Sequence, residues 1–127
     1  MGSEKEDDIT DALIRLPIRN LESRIMQLDS EISRRKTIND EALTCIDTLI
    51  IQLKSNIWHH RYSHLTGEDM RLKKDFDNQL QNLKSQSILE QVNCFRDIAN
   101  LNEKMQSTRE ELELEKTKLR LIDTDLS

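Results

Sequence analysis

Few side chains in this sequence have the type and spacing to do chemistry, and most of them gather in one short stretch. His60 and His64 are four residues apart, the spacing that places two metal ligands on one face of a helix. No cysteine, carboxylate or third histidine completes a zinc pattern nearby, so the pair reads as basic groups at a helix end, where they favour the helix dipole. The same imidazoles would make general bases, but no nucleophile partner or glycine-rich loop accompanies them, and the chain is expected to be no enzyme and to hold no cofactor. Arg34, Arg35, Lys36 and Thr37 form a basic run suited to a phosphate or a kinase. Their place inside a heptad pattern reads more simply as cations along a solvated helix edge. Trp58 and Tyr62 are also four apart and suit a docking anchor, because aromatics dominate interface hot spots. Packing beside a turn would use them equally well. Cys45 and Cys94 lie in apolar runs without metal-ligand spacing, and both are expected in the core as free thiols.

The composition bounds what could position these groups. Of 127 residues, 34% are charged and only 3% aromatic, with two glycines and one proline, which is the profile of long helices carrying one apolar stripe. A formal net charge of −5, with both signs interspersed, gives no general attraction to nucleic acid or anionic lipid. No apolar run approaches the ~20 residues of a membrane span. Isolated cysteines fit a reducing compartment, so an intracellular place, cytoplasm or nucleus, is expected.

The apolar pattern supplies the architecture. From Ile14 the chain steps by four and three through Ile18, Leu21, Ile25, Leu28, Ile32, Arg35, Asn39, Ala42, Ile46, Leu49 and Leu53. This is a coiled-coil seam with β-branched residues mostly at one heptad position and leucine at the other. Its flanks change character from Ile38 onward, where Leu43, Cys45, Ile50 and Ile57 widen the stripe. A widened stripe needs more than one neighbour. Ile38, Leu43, Ile46, Ile50, Leu53, Ile57, Trp58 and Tyr62 are therefore the expected partner surface. Pro17, after Leu16, is expected to open the first long helix. The pattern stops around Gly67, with basic groups before it and acidic groups after it, as at the junction of two helices. A second helix then shows one stripe through Leu72, Phe76, Leu80 and Leu83 and another through Ile88, Val92, Phe95 and Ile98. A heptad register follows from Cys94 through Leu126.

The expected fold is all-α: a long antiparallel helical hairpin or coiled coil, completed by dimerisation or by a partner helix. Residues 1–8 form a flexible N-terminus and 9–127 a single coiled-coil domain, with helix 1 about 17–62, a turn at 63–66 and helix 2 about 67–124. Partners across the hairpin then have numbers adding to about 130, which sets Asn39 opposite Gln91 and Arg15 opposite Glu115. Asn39, Gln91 and Arg35 are the expected polar layer fixing the register. A parallel homodimer would instead set Arg35 against its own copy. The function expected of such a chain is a non-enzymatic scaffold or interaction subunit that binds protein, either itself or a different coiled-coil subunit, as a dimer or hetero-oligomer. The alternative is a nucleic-acid or chromatin-associated subunit using the Arg34–Lys36 and Arg61 region.

Overall fold

Few helix breakers and abundant Leu, Glu, Lys and Gln leave the backbone little alternative to long helices, and that is what the computed structural model contains. It describes the backbone over residues 2–60 and 67–126, and the side chains over 8–56 and 70–124. Helix α1 spans Gly2–His60 and helix α2 spans Gly67–Leu126. The two pack against each other as a helical hairpin. The expected turn at 63–66 and the side chains of Ile57, Trp58, His60, Arg61, Tyr62 and His64 lie outside the described residues.

One boundary differs from expectation. Pro17 lies inside α1 and does not open it, and residues 2–8, expected as a flexible terminus, are part of the same helix. A proline in a helix loses the bond from its own nitrogen to the carbonyl four residues back, here that of Leu13. Leu13, Leu16 and Pro17 are all exposed, so water can serve the freed carbonyl and the helix continues past it.

The chain divides into two compact units, each holding a stretch of α1 against a stretch of α2. In the unit formed by Met1–Ser33 and Ile98–Ser127, the core is Leu28, Ile32 and Met105, with Ile25, Ile98 and Leu101 packed on it. Leu28 is wholly buried, a burial worth about 1.5–3 kcal/mol. The two helices run in opposite directions here. Pro17 and Leu21 border a cleft with Leu114 and Glu111, whereas Arg24, one turn further along, borders one with Ser107 and Lys104. Thr108 occupies a seam position, is buried, and donates its hydroxyl to the carbonyl of Lys104 at 2.8 Å, so no polar atom of its side chain is stranded.

In the unit Arg34–Asp97, the face that α1 turns inward runs through Arg35, Asn39, Leu43, Ile46, Ile50 and Leu53. A strict heptad would have continued from Asn39 through Ala42 to Leu49. Ala42 is half-buried, but Leu49 is exposed and Ile50 takes its place. Two successive steps of four, Arg35 to Asn39 to Leu43, produce the shift. Along α2 the half-buried or buried positions are Phe76, Leu80, Leu83, Ser87, Glu90, Asn93 and Cys94, and the next is Ile98, so that Glu90, Cys94 and Ile98 again make two steps of four. Such an insertion gives an eleven-residue spacing that locally unwinds a left-handed supercoil. It also corrects the expected second stripe of α2: Ile88, Val92 and Phe95 lie off the inward face and are exposed. The inward face is fixed by Leu80 and Leu83 on one side and Cys94 on the other, and Ile88 sits a full 100° round the helix from Ser87.

Candidate functional site

The polar layer and the surface beside it, both within Arg34–Asp97, are where this chain departs most from a plain coiled coil. A guanidinium on an inward face must be paired, since a charge withdrawn from water without a partner is costly. Arg35 is paired twice. Its Nη1 donates to Glu90 Oε1 at 2.7 Å and its Nε to Asp97 Oδ2 at 2.8 Å. The two carboxylates are seven residues apart on α2, so one arginine clasps two turns of the facing helix. Its proton is held above the usual guanidinium range, first by the bond to Glu90 and then by the bond to Asp97.

The other expected members of the layer behave differently. Asn39 is half-buried, and its Oδ1 has no hydrogen-bond partner. Gln91 is exposed, and its amide donates to Ser87 on its own helix at 3.3 Å. The anticipated Asn39–Gln91 layer is therefore replaced by Arg35 with Glu90 and Asp97. The sequence placed residue 95 opposite Arg35, and the two carboxylates bracket that position. Arg15 and Glu115, also expected to face each other, pair within their own helices: Arg15 with Asp11 at 3.2 Å and Glu115 with Lys118 at 3.3 Å. In both cases a partner one turn away costs less side-chain order than one across the interface.

The expected partner surface is partly consumed by the hairpin itself. Leu53 is buried, and Leu43, Ile46 and Ile50 are half-buried within the single chain; Ile38 is exposed. Cys94 is buried as anticipated, but Cys45 is exposed because the shift in register carries it off the inward face. The basic run also splits: Arg35 is taken by Glu90 and Asp97, leaving Arg34 and Lys36 exposed.

What the pattern in the sequence concealed is an apolar surface on α2. Ile88, Leu89, Val92 and Phe95 are all exposed, Phe95 the most, at 79%. Their spacing resembles a seam, and only the competing inward positions Ser87, Glu90 and Cys94, two of them polar, show that it is not the seam used. On α1, Ile38, Leu49 and Ile51 are likewise exposed. Among the described residues no group of three or more His, Cys, Asp or Glu is placed to hold a metal ion, and no helix is long and apolar enough to cross a membrane. No family model, no curated protein and no solved structure matches the chain.

Proposed function

We propose that this protein is a non-enzymatic scaffold or interaction subunit of a larger intracellular assembly, which it joins by helix–helix packing. The observation that carries the reading is the row of exposed apolar side chains on α2, Ile88, Leu89, Val92 and Phe95, outside the seam the two helices share. Scattered surface hydrophobes are ordinary, but a run of large ones at helical spacing is the mark of an interface. The clasp of Arg35 on Glu90 and Asp97 supports the same reading, because it holds α2 in the rotation that keeps this row outward.

The reading is tested by gel filtration of a lysate containing the tagged chain. The native chain should elute in a species much larger than its own mass. Val92→Glu/Phe95→Glu, which alters exposed positions alone, should elute earlier in no fraction than the isolated chain does. Identical elution of the two in the large fraction would count against these residues as the docking surface, and elution of the native chain at its own size would count against the assembly.

A further inference from the structure

The apolar row on α2 is bordered by charge of one sign. Ile88, Val92 and Phe95 fall within about 60° of helix surface at about 100° per residue, and Leu89 widens the row by about 60° more. Over residues 78–102 the charged side chains are Lys84, Glu90, Arg96 and Asp97. Arg35 holds Glu90 and Asp97, and both lie on the opposite side of α2 from the row. Lys84 and Arg96 border the row, one turn before Ile88 and one turn after Val92, and both are exposed. Among the described residues neither joins an ion pair. The next acidic side chains along the helix, Asp77 and Glu103, are roughly 16 Å and 12 Å from the row's ends at about 1.5 Å per residue, beyond a screening length of about 8 Å. On α1 in the same unit, Asp40, Glu41 and Asp47 are matched by Arg34, Lys36 and Lys54, all exposed, and together they add no net charge. The row is therefore apolar with a basic border.

We propose that this row receives an acidic amphipathic helix of a different protein, one whose apolar i, i+4, i+7 set is bracketed by carboxylates. This deepens the scaffold reading and rests on it, naming the partner's chemistry. Two observations select that occupant, and the first is charge. Two copies of this chain joined through the row would bring cation to cation in either direction. Antiparallel pairing sets Ile88 opposite Phe95 and Lys84 close to Arg96, and parallel pairing sets each cation against its own copy. Carboxylates about 18 Å apart on a foreign helix, the span of α2 from Lys84 to Arg96, would meet both cations. The second observation is size. The four apolar side chains are 50% to 79% exposed, and at roughly 150–200 Å² for a whole side chain of this size they offer about 400–500 Å². That is well below the roughly 800 Å² per partner of a standard interface, and it suits one face of a short helix laid along the row. The cations contribute little attraction at an exposed rim. Their part is to decide which helices are accepted.

The probe is a synthetic, fluorescently labelled helix of about 21 residues with leucine at heptad positions a and d and glutamate at e and g, titrated with the purified full chain at low salt. Binding at about 10–100 µM is expected. The same helix with lysine in place of glutamate should bind about fivefold more weakly or worse, and added salt should narrow the difference. Val92→Glu/Phe95→Glu should abolish binding with helicity unchanged by circular dichroism. Lys84→Glu/Arg96→Glu should reverse the preference between the two helices. The proposal is overturned if the acidic helix does not bind, if the two helices bind equally, or if the preference survives Lys84→Glu/Arg96→Glu. A two-chain mass by light scattering that Val92→Glu/Phe95→Glu returns to one chain would give the row to a second copy and overturn it as well. A native chain that still elutes in a large species from lysate would, in any of these cases, leave the scaffold reading standing while the acidic partner fell.

Discussion

Replacing Asn39 with isoleucine should make this protein more stable. Asn39 occupies an inward position of α1 between Arg35 and Leu43, and its carbonyl oxygen is buried without a hydrogen-bond partner. A buried polar atom left unpaired costs about 1–3 kcal/mol. The side chain as a whole is only half-buried, so the lower part of that range applies, about 1–2 kcal/mol. Isoleucine adds apolar contact in a position already flanked by Leu43 and Ile46, for about 1 kcal/mol more. The expected gain is about 2–3 kcal/mol. With a urea dependence of about 1–3 kcal/mol per molar, the unfolding midpoint followed by circular dichroism should rise by about 0.7–3 M. A midpoint that stays in place or falls would refute the reasoning, because it would mean that the oxygen finds a partner or that the site cannot admit a β-branched side chain. Asn39→Ala, which removes the amide and adds no bulk, separates those two explanations: it should be neutral or stabilising if the oxygen is unpaired.

Further outcomes follow from the same contacts. Leu28→Ala opens a cavity at a wholly buried core site and should cost about 2–5 kcal/mol by the same urea measurement. Arg35→Leu leaves Glu90 and Asp97 without their shared cation and should lower the midpoint; adding Glu90→Leu and Asp97→Asn should recover much of the loss, and failure to recover would show that the arginine acts through its packing. Pro17→Ala restores a backbone donor within α1 and should raise stability by about 1–3 kcal/mol, with an increase in helical signal. Dilute native protein should react with one equivalent of a thiol reagent at the exposed Cys45, and the buried Cys94 should follow only on unfolding.

The hairpin was legible in the sequence because helix periodicity and the scarcity of breakers are local properties, written residue by residue. The inward register of Ile18 to Ile32 could be read for the same reason, and so could that of Cys94 to Leu119: in each run a single phase of three and four accounts for the apolar positions. The presence of Arg35 on the inward face was also plain, and with it the need for a compensating carboxylate. Between those runs the sequence offered two phases at once. On α1, Leu49 and Ile50 competed for the next inward place; on α2, the apolar Ile88, Val92 and Phe95 competed with Ser87, Glu90 and Cys94. Pattern alone favours the more apolar choice. The tertiary structure took the other on α2, because Arg35 requires carboxylates within hydrogen-bond reach and Glu90 and Asp97 supply them at 2.7 Å and 2.8 Å. The helix phase that brings both to the arginine is the phase that turns Phe95 to solvent. That outcome depends on a pairing between residues more than fifty positions apart, and no property of either helix by itself decides it.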